Sequence, residues 1–308
     1  MKIDSLWIGQ VALAALMNAA FATAVGSALL KAWLGNDGAR PVVAPSHPAW
    51  VRAQHSLVAA AAALVLADLG WLLYQAASMS GAGLDGAFGA LPAVLGQTHV
   101  GAAWCVAFAG AVLLFAVALM RPDGTVPYAV LWLAVVAIAA GKASIGHVAD
   151  AGTFSAAAGV HTLHLLATAV WGGLVLAGGL AVLPALGSSV ARGALIRIAQ
   201  RVSRFSIVAV AFVAATGALN AVRGLGGSLA PLAASVWGHV LLLKLVLVAF
   251  AIVLGALNRL SALPRLRRTA STEDAHTFRN MLHLEALTMI GVFVAAAVLA
   301  VCVPGFAG

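Results

Sequence analysis

Residues 155–186 read SAAAGVHTLHLLATAVWGGLVLAGGLAVLPAL. The run is long enough to cross the roughly 30 Å hydrocarbon layer of a bilayer, which takes about 20 apolar residues as a helix. It holds no aspartate, glutamate, lysine or arginine, yet it carries His161 and His164. Lipid offers the backbone no hydrogen-bond partner, so such a stretch must be helical. Residues three apart on a helix project from one face, and Thr168 and Trp171 continue that face. Imidazoles cost free energy in hydrocarbon unless they meet a partner, so this one stretch predicts both a fold class and a site.

The pattern recurs outward from it. Of the 308 residues, 63% are hydrophobic and 8% charged, whereas soluble domains carry about 25% charged residues. Further membrane-length segments lie at about 6–33, 50–78, 90–120, 127–149, 204–224, 236–261 and 281–303. The prediction is an all-α, polytopic membrane helix bundle of about eight transmembrane helices. Residues 1–125 form a first membrane half and 126–308 a second membrane region, together one integral membrane unit. The longest connections fall at 32–49, 188–203 and 262–280, too short for a soluble catalytic domain, and Pro264 is expected to end the seventh helix. Thr98-His99-Val100-Gly101 opens one apolar helix much as Ser235-Val236-Trp237-Gly238-His239 opens another. That echo predicts two four-helix halves packed side by side.

Charge predicts orientation. Of 17 basic residues, 13 lie in alternate connections: Lys31, Arg40 and Arg52, then Arg121, then Arg192, Arg197, Arg201 and Arg204, then Arg259, Arg265, Arg267, Arg268 and Arg279. The positive-inside rule places those connections in the cytoplasm and both termini in the periplasm. The net charge of +8 therefore reports orientation and anionic lipid contact, not a nucleic-acid partner. The first segment is too long for a signal-peptide core and is read as a transmembrane helix.

With that topology, and about 1.5 Å of rise per residue, His99 and His161 are expected two turns below the outer surface. His164 lies one turn deeper, His239 near the surface, and His147 at the end of the fourth helix. All five fall in the outer half, and His147, His161 and His164 are brought together by a short connection. Imidazole suits copper, zinc, nickel and iron, so metal or haem ligation is expected. No HExxH motif and no carboxylate placed as a general base accompanies them, which argues against hydrolysis. No GxxxxGK[ST] motif is present for ATP-driven pumping. Cys105 and Cys302 lie in apolar segments without a CxxC pair, and are read as packing residues. Asp68, Lys142 and Lys244 lie inside membrane segments, where either mutual pairing or ion passage accounts for them. Asn18, Asn220 and Asn258 are expected to bridge helices. His55, His276 and His283 fall at the cytoplasmic side.

Gly146-His147, followed by His161-Thr-Leu-His164-Leu-Leu-Ala-Thr-Ala-Val-Trp171-Gly172-Gly173, resembles the histidine-bearing helix pair of the CopD family of bacterial copper resistance membrane proteins. Arg204-Phe205-Ser206 with Thr216-Gly217-Ala218-Leu219-Asn220 resembles that family's next helix. Leu241-Leu242-Leu243-Lys244 with Gly255-Ala256-Leu257-Asn258-Arg259 resembles the one after, and Leu284-Glu285 fits before a last apolar helix. The resemblance is good over 140–303 and weaker earlier, where 98–104 matches best. It implies a multi-pass protein of the bacterial inner membrane that moves copper ions from periplasm toward cytoplasm, with no enzymatic activity. It also implies a separate CopC-like periplasmic copper chaperone as partner. By position, His147, His161 and His164 are the copper-linked histidines, with His99 or His239 joining them. The poverty in cysteine and methionine leaves the copper valence open. Neutral imidazoles would release metal on protonation near pH 6. The rival expectation is a transmembrane electron-transfer protein holding haem b, with the same histidines as axial ligands.

Overall fold

The structure, a computed structural model, describes residues 4–81, 83–121, 124–145 and 155–302. Side-chain caps start five of the helices, and glycines stop two of the long ones. Helix α1 (Ser5–Asn36) starts where the Asp4 carboxylate accepts from the Trp7 amide at 2.8 Å. Helix α2 (His47–Ser80) has Pro48 in its first turn and stops at Gly81, whose φ of 66° is the left-handed conformation glycine tolerates. The short α3 (Gly83–Gln97) leads into α4 (His99–Leu119), and α5 (Thr125–Ala143) follows. Ser155 caps α6 (Ala156–Leu176) by accepting from Ala158 N at 3.2 Å. Then come α7 (Arg192–Leu225), the single turn α8 (Pro231–Ala234), α9 (Val236–Leu257), α10 (Leu263–Thr269) and α11 (Thr272–Val301).

Among the described residues there is no strand, and eight helices are long and apolar enough to cross a membrane. The chain is an all-α polytopic membrane bundle. Three local expectations are corrected. The segment expected at 90–120 is broken at Thr98, whose extended backbone and hydroxyl cap start α4 afresh. His99 is therefore the first residue of that helix and exposed, not two turns inside it. Pro264 does not end the seventh span. The helix continues through a π-helical turn, Asn258–Ala262, into α10. Thirdly, most of 188–203 and 262–280 is helical, carrying the arginines on extended helix ends instead of loops.

The π-turn has a sequence cause. A proline lacks an N–H, and its ring collides with the carbonyl four residues back in a regular helix. Widening the preceding turn removes that collision and moves the bond to an i→i+5 pair, here Leu263 N–H to Asn258 O. Helix α6 does the same before Pro184: Ala177–Val182 is π-helical, with Leu183 N–H bonded to Gly178 O. Two different spans thus loosen at a Leu-Pro step.

Helix α1 packs against α2, α6 and α11 and forms the centre of the bundle. Its approach to α6 is set by Gly26 and Gly173: a Cβ on either would run into backbone of the other helix. Such small-residue contacts let helices pack by van der Waals attraction where no hydrophobic drive exists. At one end of the bundle the arginines hold neighbouring helices. Arg197 Nε donates to Asp37 Oδ2 at 3.0 Å and Arg201 Nη2 to Asp37 Oδ1 at 2.7 Å, while Arg201 also reaches the Trp33 carbonyl. Arg259 donates to Ser203 and Arg192 to Thr272.

The echo between 98–101 and 235–239 is exact in geometry. Thr98 and Ser235 have φ near −120° and ψ near 150°, and each accepts from the amide three residues on at 3.0 Å. Each hydroxyl also donates to the carbonyl four residues back, Val94 O and Pro231 O. In both cases a short helix precedes a spanning one.

Replacing Gly173 by alanine is expected to cost about 1–3 kcal/mol through overpacking, and to lower the melting temperature in detergent by several degrees. Gly159→Ala, which meets nothing within 4 Å, is the control expected to leave melting unchanged.

Candidate functional site

The Ser155 cap fixes the phase of α6, so that His161 and His164 leave it on the side facing α7. Their rings lie nearly parallel, 15° apart, with centroids 6.3 Å apart. Helix α7 answers with Thr216 and Asn220, four residues apart on one face. His164 Nδ1 lies 2.9 Å from Thr216 Oγ1. That hydroxyl donates its own proton to the Phe212 carbonyl, so it accepts from His164 Nδ1–H. The imidazole is thereby held in the tautomer whose Nε2 lone pair is free, the arrangement typical of metal-ligating histidine. Gly217 leaves room for the ring, since a Cβ there would stand 3.2 Å from His164 Cε1.

Asn220 holds His161 at Nδ1, 3.2 Å from its amide nitrogen. In this orientation the Asn220 amide donates, which leaves the His161 proton on Nε2. The Asn220 carbonyl oxygen is buried without a hydrogen-bond partner. Turned over, it would accept from Nδ1–H and free Nε2. The orientation of the amide thus decides the tautomer of His161. Lys244 of α9 stands within electrostatic reach of both rings, and Lys142 of α5 within reach of His161.

Of the other sequence candidates, His99 and His239 do not join this pair in a metal-holding group. His99 is exposed at the start of α4. His239 is exposed near the start of α9, with Nε2 3.1 Å from the Ala233 carbonyl. His147 lies outside the described residues. Among the described residues no group of three His, Cys, Asp or Glu side chains is placed to hold a metal ion. The pair His161–His164 is what the fold brings together, with Thr216, Asn220 and Gly217 as supports that sequence reasoning did not assign to it. The signal for them was the Thr216–Asn220 spacing of four, the same pitch that joins facing helices.

Two carboxylates are buried inside the spans. Asp68 of α2 is 1% exposed, and neither oxygen has a hydrogen-bond partner; Lys142 is the charge that faces it. Glu285 of α11 is 5% exposed and faces the Trp171 indole N–H.

The first half of the chain holds a counterpart without imidazole. His161 stands six residues after the cap Ser155, and Asn220 six before Gly226 at the end of α7. Gln10 stands six after the cap Asp4, and Gln75 six before Gly81 at the end of α2. Gln10 Nε2 lies 3.4 Å from Gln75 Oε1. The same frame carries a histidine–asparagine contact in one half and a glutamine–glutamine contact in the other.

Residues 3–157 match the family model of the copper resistance protein D-like N-terminal domain, and residues 196–299 match that of copper resistance protein D. No curated protein and no solved structure matches the chain.

Thr216→Val keeps the shape and removes the acceptor for His164 Nδ1–H. Loss of such a supporting contact typically weakens metal affinity about 10–100-fold. Titration of purified protein with a competing copper chelator is expected to read a loss of that size.

Proposed function

We infer, from the premise that this chain belongs to the copper resistance protein D family, that it is a copper permease and not an enzyme. Copper is its cargo, taken up at His161 and His164 from the periplasm of a bacterial cell and passed across the inner membrane toward the cytoplasm. The observation that carries this reading is the pair of membrane-embedded imidazoles held at Nδ1 by Thr216 and Asn220. Two neighbouring imidazoles with nearly parallel rings, each engaged across the helix interface at Nδ1, leave their Nε2 atoms as the candidate donors. His147 is proposed as a third donor, with His99 or His239 at the entrance.

The orientation follows the arginines. Arg197, Arg201, Arg259 and Arg192 gather at one end of the bundle, and that end is assigned to the cytoplasm with both termini periplasmic. A CopC-like chaperone is the proposed source of copper at the opposite end. Entry of the ion gives the Asn220 amide a reason to turn, because a proton on His161 Nε2 and a metal there exclude each other. Lys244 and Lys142 add positive charge nearby, which keeps retention weak, and a transport site must release what it binds.

The haem reading is less well supported. A bis-histidine haem needs imidazoles opposed across the iron, whereas His161 and His164 lie side by side on one helix.

The double substitution His161→Ala with His164→Ala is expected to reduce copper accumulation by cells to the level of cells lacking the protein, with membrane expression and melting temperature retained. His99→Ala with His239→Ala should lower uptake by a few-fold at most. Uptake in the His161/His164 variant equal to wild type would overturn the assignment.

A further inference from the structure

Below the histidine pair, the face of α6 continues through Thr168 to Trp171. From His164 to Trp171 is seven residues, a descent of about 10 Å at the usual helical rise. Thr168 Oγ1 is buried without a hydrogen-bond partner, and Trp171 meets Glu285 of α11.

Glu285 differs from the other buried carboxylate. Asp68 has Lys142 before it, whereas the group that meets Glu285 is the neutral Trp171 indole N–H. Ionisable groups inside membrane spans are costly and mark ion paths or ligand sites. The surroundings make room for Glu285. Gly255 of α9 lies against the carboxylate, where a Cβ would stand 3.1 Å from Oε1. One turn further on, Asn258 is 5% exposed with its amide oxygen unpartnered. Asn258 is also the first residue of the π-helical turn in the seventh span, and the other π-turn begins six residues after Trp171 on α6. Widened turns of this kind concentrate at functional sites because they loosen the backbone where groups must move. A buried carboxylate held by one indole N–H, with an amide oxygen and a hydroxyl that lack partners, thus lies on the side of the histidine pair toward the arginine-bearing end, against two loosened helices.

We propose that Glu285, with Asn258 and Thr168, forms a second, oxygen-lined cation site that receives copper from His161 and His164 and passes it on. This rests on the permease reading above. Oxygen donors hold copper less tightly than imidazole nitrogen, so the second site is weaker and drains the first. The charge of Glu285 draws the ion inward past Lys244, and the π-turns let α6 and α9 part around it.

The test uses full-length protein in liposomes loaded with a copper indicator, together with equilibrium copper titration of the same preparations. Wild type is expected to bind copper at one tighter and one weaker site. Glu285→Gln is isosteric and keeps an acceptor for the Trp171 indole, so folding is preserved. It should lose the weaker site, keep the tighter one, and take up copper roughly tenfold more slowly, the weight of one charged ligand contact. Asn258→Leu should slow uptake in the same direction, and Glu285→Asp should restore part of the rate. Conversely, His161→Ala with His164→Ala should lose the tighter site and keep the weaker one. Unchanged uptake and stoichiometry in Glu285→Gln would overturn the relay and leave the histidine assignment standing. Failure of wild-type liposomes to take up copper would overturn both.

Discussion

A membrane interior supplies no water to a polar group that the protein fails to satisfy, and everything distinctive about this chain follows from that constraint. It forces the backbone into helices. It presses helices together at glycines such as Gly26 and Gly173, whose missing side chains let α1 and α6 touch through their backbones. It also makes every buried side-chain nitrogen and oxygen accountable. His161 and His164 have their partners on α7. Among the described residues, Thr168, Asn220, Asn258 and Asp68 stand out among the buried groups without partners, because they lie inside the spans close to the histidine pair or to another buried charge.

The site is built from contacts between helices distant in sequence. Ser155 sets the phase of α6, Thr216 and Asn220 set the rings, and Gly217 clears space for one of them. Thr216 is committed to one role, because its hydroxyl proton is spent on Phe212. Asn220 is not, since an amide can present either end. A fixed imidazole beside an adjustable one suits a site that must both grip and let go. Family membership points toward handling of copper ions in a membrane.

Much of the fold was legible because hydropathy is a property of runs, and eight runs were long enough. The break at Thr98 was hidden because apolar residues continue on both sides of it; the hydroxyl with Gly101 three residues later was the readable clue. Pro264 misled because the rule that proline ends a helix assumes a regular α-helix, and a π-turn accommodates the ring. The spacing of His161 and His164 announced a shared face. Their partners could not be read, since which face of α7 meets α6 depends on how two helices are rotated, and a single sequence does not fix that. Asn220 and Asn258 were both expected to bridge helices. The first does so by holding His161, while the second keeps an unpartnered oxygen. Glu285 was legible only as the start of a final apolar run, because its helix begins at Thr272, a turn or more earlier than hydropathy suggested.

The matched frames of the two halves have a consequence for how the molecule has been free to change. Gln10 and Gln75 occupy the stations that His161 and Asn220 occupy in the other half. Glutamine satisfies the same need for an internal partner but is a poor donor to copper. On the permease reading, the glutamine pair preserves the architecture of its frame while the histidine–asparagine frame bears the cargo. Were copper carried that way, it would keep to a single lane, and the glutamine frame would be the one free to accumulate substitutions.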